Sequence, residues 1–145
     1  LAETLHNSEA NYNIILTSIQ FISDKHGFET WGNFPLEQER LKSLLVLSEA
    51  KNPIILSGDR HISEFSEVQV KGLDHPLIDF TSSGMTHAYT NFTSEENPWR
   101  KGPVISEKSF GLLNFDLENE TVNLQMIGQG GKVLQEINQS FKSKQ

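Results

Sequence analysis

Pro53-Ile54-Ile55-Leu56-Ser57-Gly58-Asp59-Arg60-His61-Ile62-Ser63-Glu64 is the stretch whose reading decides the fold. Its first part, apolar and β-branched, reads as a buried strand. The run breaks at Gly58, and two residues able to bind metal or move a proton follow, Asp59 and His61. Open α/β sheets present their chemistry in this way, because the ligand crevice lies off the carboxyl ends of the strands. On an extended backbone, side chains two residues apart share a face. Asp59 and His61 are therefore expected to reach one ion or one phosphate together.

Upstream, Asn13 to Ile19 is apolar enough for a strand buried on both faces. Gln20 to Phe34 reads as a long loop, and loops of that length in compact domains are functional or packed on themselves. Pro35 suits a first helical turn, with Glu37 and Glu39 favourable near the positive helix end. Leu41, Leu44, Leu45 and Leu47 recur at helical spacing until Lys51-Asn52-Pro53, which is expected to stop the helix. Strand, helix and strand in close succession predict a βαβ unit with parallel strands and a right-handed crossover. Leu1 to about Ala10 reads as a helix end.

Downstream, Glu67–Val70 and Leu77–Ser82 read as short strands, and Gly84 to Gly102 as irregular. Three alternating runs follow, Phe110–Leu117, Thr121–Ile127 and Lys132–Ile137. Asn and Gly at their joints predict an antiparallel meander. Ser140–Gln145 reads as a frayed polar tail.

The 145 residues suffice for one domain with a core. Lys plus Arg number 12 against 19 Asp plus Glu, so the chain carries −7 and has no basic run. That balance argues against nucleic acid, whose binding depends on neutralising phosphates. No apolar segment is long enough to span a membrane. Without cysteine, disulfides and Cys-ligated zinc are excluded. No Gly-x-Ser-x-Gly elbow and no P-loop Lys-Ser/Thr occur. The sequons at Asn91, Asn119 and Asn138 are as readily chance as glycosylation sites.

Leu56-Ser57-Gly58-Asp59-Arg60-His61, with Glu64 behind it, resembles the last metal-binding motif of the PhoD-like alkaline phosphatase/phosphodiesterase family. That family belongs to the calcineurin-like metallophosphatase superfamily, much of which has Gly-His-x-His at this point; PhoD-like members resemble Gly-Asp-x-His. Two further stretches agree in order. Trp31-Gly32-Asn33-Phe34-Pro35 with Glu39-Arg40 resembles the family's Trp-x-x-aromatic-Pro…Glu-Arg segment, with Glu39-Arg40 set slightly further from Pro35. Asp79-Phe80-Thr81-Ser82-Ser83-Gly84-Met85-Thr86-His87 resembles its Thr-Ser-Ser-Gly-Leu-Thr-His segment. The match spans roughly the first two-thirds of the chain.

The resemblance implies an α/β fold, the C-terminal half of a metallophosphatase α/β sandwich. Residues 1–65 would form the βαβ part with the metal motif, and 66–145 a β-rich part. It implies a metal-dependent phosphomonoesterase or phosphodiesterase, exported to the periplasm or outside the cell, acting on a phosphoester substrate. Asp59 and His61 would be the metal ligands at its catalytic centre. Carboxylate oxygen suits hard ions and imidazole suits borderline ones, so calcium, iron, zinc and manganese, divalent or ferric, all stay open. Arg60 and His87 are candidates for substrate binding, Arg60 as a phosphate fork and His87 beside the Ser82-Ser83-Gly84 run, whose N–H groups suit an anion. Glu64 is a candidate partner behind the ligands. On spacing alone, a turn Asp with a surface His is the commoner outcome, and Arg60 would pair with a carboxylate such as Glu64. Trp31, Phe34 and Pro35 are expected to pack the loop on the sheet. His26 and Glu29 lie in the same loop.

The family's earlier motifs, of the Asp-x-His, Gly-Asp-x-x-Asp and Gly-Asn-His-Glu/Asp kind, do not occur in these residues. The resemblance therefore implies a partner in the missing N-terminal half of the domain and an inactive fragment. A non-catalytic binding or interaction domain that retains the fold is the alternative; an unrelated β-rich surface-binding module requires three ordered coincidences. One helix covers one side of the sheet, so the other is expected to be bare and to drive a homodimer, the competing outcome being a monomer whose C-terminal meander, from about Phe110 to Phe141, folds over that face.

Overall fold

The computed structural model describes residues 1–142; of the frayed tail expected from Ser140, Ser140 instead ends a strand and Phe141 is buried, and the part beyond Lys142 lies outside the described residues. A short helix α1 (Ala2–His6) precedes β1 (Asn13–Leu16), a 3-10 turn (Trp31–Asn33), helix α2 (Pro35–Leu47) and β2 (Pro53–Ser57). Then come β3 (Ser63–Val68), β4 (Leu77–Ser82), β5 (Arg100–Ile105), β6 (Ser109–Asp116), β7 (Thr121–Gly128) and β8 (Val133–Ser140). The fold is mixed α/β with two sheets. A five-stranded mixed sheet has the order β1-β2-β4-β3-β5, and a three-stranded antiparallel sheet has the order β6-β7-β8.

The expected parallel pair is present. Ile54 sits beside Ile14 and Ile55 beside Ile15, with α2 between the two strands in the chain. Pro35 occupies the first helical turn and Glu37 is the acidic residue there. The helix ends at Leu47, earlier than Asn52-Pro53, and Glu49 takes a φ of 56° just beyond it. A left-handed residue in that position is how many helices terminate. β1 likewise ends at Leu16 rather than Ile19. β4 lies parallel beside β2, and β3 pairs antiparallel with β4 on its far side.

Two stretches differ from the sequence expectation. The strand expected at 67–70 begins at Ser63, directly after the Asp59–His61 turn. Within the stretch expected to be irregular, Arg100–Ile105 forms edge strand β5 against β3. The first sheet thus takes residues from 13 through 105, and the chain passes to the second sheet only after Ile105.

Alternation along the central strands divides the core. Ile55 and Leu77 pack with Leu41, Leu45, Phe21 and Ile22 beneath α2 and the 20–34 loop. Ile54, Ile78, Phe65 and Phe80 pack against Val122, Leu124, Met126 and Phe141 of the meander. Gly111 marks the close approach of β6 to β4: a Cβ there would lie 2.8 Å from the Phe80 ring. Full burial of each large apolar side chain contributes about 1.5–3 kcal/mol, so the meander is a major part of the fold. It occupies the face that one helix was expected to leave bare, which removes that driving force for a homodimer. β1 keeps an unpaired edge among the described residues, and Leu16 there is 77% exposed.

Candidate functional site

Gly58–Ile62 joins β2 to β3 at the carboxyl end of the parallel strands. Inward and outward positions alternate through it: Arg60 and Ile62 are buried, Asp59 and His61 exposed. The backbone is not extended as expected. Asp59 has φ 70° and His61 φ 54°, whereas Gly58 has an ordinary φ. Left-handed geometry costs an L-residue about 1–2 kcal/mol; Asp and His are among the types enriched there. Surrounding structure holds this turn in place, and such strain clusters at functional sites. The side chains of Asp59 and His61 make no hydrogen bond or ion pair among the described residues, so their donor atoms are free.

His87 lies in the segment after β4, which is parallel to β2 and adjacent to it. Ser83 N donates to Ile62 O at 3.1 Å, and Tyr89 N donates to His61 O at 2.7 Å. These two bonds close the 84–88 arch onto the Asp59–His61 turn. They bring the His87 and His61 rings to 4.9 Å between centroids, edge to face at 82°. The expected anion nest is only partly available, because the Ser83 N–H is committed to Ile62 O.

Arg60 and Glu64 point to the other side of the sheet, into a buried polar layer. The Arg60 guanidinium donates to Glu95 at 2.6 Å and to Gln20 Oε1 at 3.4 Å, and lies 4.4 Å over the Phe28 ring. Its carboxylate partner is thus Glu95, not Glu64. Glu64, 1% exposed, accepts from Arg100 Nε at 2.6 Å, Gln20 Nε2 at 2.7 Å and Asn97 Nδ2 at 3.1 Å. It therefore fastens β3 to the 95–100 segment and to the loop after β1.

Asp79, equally buried, forms the other half of this layer. It accepts from Phe21 N at 2.7 Å, Ile22 N at 2.9 Å and Ser57 Oγ at 2.6 Å. Burial pushes its carboxyl up to about 6, although these three bonds pull the other way and Glu64 adds to the rise. Asp79, Gln20, Glu95 and Arg100 were not singled out from sequence. The available signal was Asp79 itself, a charge inside the apolar run Leu77-Ile78-Asp79-Phe80, since a buried charge demands partners.

In the same loop, His26 is buried, its Nδ1 accepts from Phe28 N at 3.3 Å and its Nε2 has no partner among the described residues. Burial first, then the Arg60 charge, lowers its pKa below the ordinary histidine value. Trp31 packs on Phe21 and donates to Thr17 Oγ1 as expected of a loop anchor, but Phe34 is exposed. Glu29 is exposed, His6 also, and His75 packs against Phe141.

A groove of about 330 Å³ adjoins Gly58 between the two sheets, lined chiefly by Leu16, Leu56, Phe80 and Leu113. The larger cleft, about 630 Å³, lies away from this turn, by Tyr12, Pro53, His75 and Phe141. Ligands of open α/β sheets bind off the carboxyl strand ends, so size does not make the larger cleft the site. Among the described residues no group of three or more His, Cys, Asp or Glu side chains is placed to hold a metal ion. Asp59 and His61 are unpartnered side chains of ligand chemistry, and two donors alone would not complete a metal site. No protein-family model matches the chain, and no curated protein matches it. No helix is long and apolar enough to cross a membrane among the described residues.

Proposed function

We propose that the chain belongs to a metal-dependent phosphoester hydrolase of the PhoD-like kind, with Asp59 and His61 supplying part of the metal ligation. The observation that carries this reading is the turn itself. Two residues of ligand chemistry stand exposed and unpartnered at the carboxyl end of β2, both held at positive φ. The α/β fold and the unpaired edge of β1, where further strands of a metallophosphatase sandwich would add, support it.

When bound, ions of this class polarise phosphoryl oxygens and lower the pKa of water. The chain's own residues would do the following. Asp59 and His61 donate oxygen and nitrogen. Glu64 holds the 95–100 segment behind the turn through Arg100 and Asn97. Arg60 becomes available to a phosphate only when Glu95 releases it, since the carboxylate now occupies the guanidinium. Monoester or diester preference is not set by these residues, and the remaining ligands would come from an N-terminal half.

The test is hydrolysis of p-nitrophenyl phosphate and its bis-ester by the full-length protein with calcium, iron, zinc or manganese added. Asp59→Asn and His61→Ala are each expected to lower turnover by orders of magnitude with the melting temperature nearly unchanged. The 145-residue chain alone is expected to match a metal-only control. Intact turnover in both variants would favour a non-catalytic role for this turn.

A further inference from the structure

We propose that His61 and His87 form a two-imidazole site for a borderline transition-metal ion, zinc(II) or an ion of its class, assembled by this chain alone. The proposal deepens the reading above and rests on it in one respect: it takes His61 as a metal donor. It adds His87, which the sequence placed with substrate, as a second nitrogen donor.

The two histidines come from turns that follow neighbouring parallel strands, β2 and β4. Sequence separation is no obstacle, because the sheet delivers both turns to the same end. The bonds Ser83 N to Ile62 O and Tyr89 N to His61 O then fix the arch at both its feet. His87 sits between those feet, and its ring meets that of His61 at 4.9 Å. A hydrogen bond to the His61 carbonyl also restrains the residue whose left-handed φ aims the ring. The pair is thus positioned by backbone, not by packing of its own rings.

Packing alone gives a poor account of the pair. Both residues are exposed, so the edge-to-face contact buries little apolar area. Neither ring has a hydrogen-bond partner among the described residues, so all four nitrogens stay available. Imidazole nitrogen selects zinc, nickel or copper over calcium and magnesium, which take oxygen sets. A site with two protein donors leaves coordination positions open to water or an anion, which is what catalytic zinc sites keep and structural ones close.

The probe is zinc(II), titrated into the untagged 145-residue chain and followed by long-range ¹H–¹⁵N spectra of the histidine rings. The His61 and His87 resonances are expected to shift together, with His6, His26 and His75 unmoved. His61→Ala and His87→Ala should each raise the zinc dissociation constant by roughly tenfold or more, in line with losing a donor, with circular dichroism unchanged. Excess magnesium should not compete. Zinc that leaves both rings unmoved, or an affinity indifferent to His87→Ala, overturns the proposal. If zinc shifts His61 alone and binding depends on Asp59, the hydrolase reading stands and the imidazole pair fails. If both rings shift and the full-length protein hydrolyses neither ester with any of these metals, the pair stands and the hydrolase reading fails.

Discussion

Ser57 Oγ donates a 2.6 Å hydrogen bond to Asp79 Oδ1 across the parallel pair of β2 and β4, beneath the turn that carries the candidate ligands. The other carboxylate oxygen takes the N–H groups of Phe21 and Ile22. One buried side chain therefore ties the loop after β1 to the central strands. Without it, two backbone N–H groups would be buried without a partner, at about 1–3 kcal/mol each.

Asp79 makes stability depend on pH in a definite direction. Its carboxyl stands at about 6 in the folded chain against an ordinary 3.8, so the folded state binds this proton more tightly than the unfolded state. The stabilising contribution is complete below about pH 4 and is lost as pH rises through about 6. A shift of this size corresponds to about 3 kcal/mol. Asp79→Asn keeps the acceptor for the Phe21 and Ile22 N–H groups but has no proton to lose. Urea denaturation at pH 4.5 and 7.5 should show a smaller decline for the variant than for the natural chain. Equal declines would show that Asp79 does not titrate in this window.

The βαβ unit and the meander were legible because their residues follow one period each. The continuous apolar run at 53–57 has no other use than a buried strand, and Pro35 marks its helix start. β5 was hidden because Arg100-Lys101-Gly102-Pro103 carries charge, Gly and Pro, which an edge strand tolerates and a central one does not. β3 was displaced because Ser63, Glu64 and Ser66 are polar yet buried; a polar inward face inverts the usual alternation. The position of Asp59 and His61 was legible, their left-handed backbone was not, since no residue type there demands it. The meander's docking on Phe65 and Phe80 depends on contacts between residues far apart in the chain, which periodicity does not encode.

Glu64 is expected to matter for folding more than for chemistry. Its carboxylate is the acceptor for Arg100, Gln20 and Asn97 in a nearly dry layer. Glu64→Leu would leave the Arg100 charge without its carboxylate and take one acceptor from each amide, while Gln20 keeps Thr81 Oγ1 and Asn97 keeps Ser66 Oγ. Breaking a buried pair from one side costs about 3–5 kcal/mol. The drop in urea midpoint should be large, and Glu64→Gln should recover part of it by keeping one oxygen for Arg100. A loss below about 1 kcal/mol for Glu64→Leu would mean that water reaches the layer, since exposed pairs contribute about that much.

Leu124 tests whether the meander is integral to the fold. It is fully buried between the sheets with Val122 and Met126. Leu124→Ala should cost about 2–5 kcal/mol and lower the single transition of the whole chain. The natural chain should scatter as a 16.4 kDa monomer across a dilution series, because the face once expected to drive dimerisation is covered. Separate unfolding of residues 109–140 before the first sheet, or a stable dimer, would contradict this packing.

The turn at Asp59 separates function from stability most sharply. Asp59 is exposed, bonds to nothing among the described residues with its side chain, and sits at φ 70°. Its carboxylate therefore gives the fold little, while its Cβ makes the left-handed backbone unfavourable. Glycine adopts that φ freely but loses more chain entropy on folding, and the two effects oppose each other at about 1 kcal/mol each. Asp59→Gly is expected to leave stability unchanged or raise it by up to about 1 kcal/mol, as Gly at a strained site commonly does. If Asp59 is a ligand as proposed, the same change should abolish metal-dependent turnover in the full-length protein. Ordinary surface turns lack this opposition, because their residue can be exchanged without loss of activity. Paired denaturation and turnover measurements decide between them. A clear loss of stability in Asp59→Gly would show that the carboxylate supports the turn, and full turnover would remove it from the metal site.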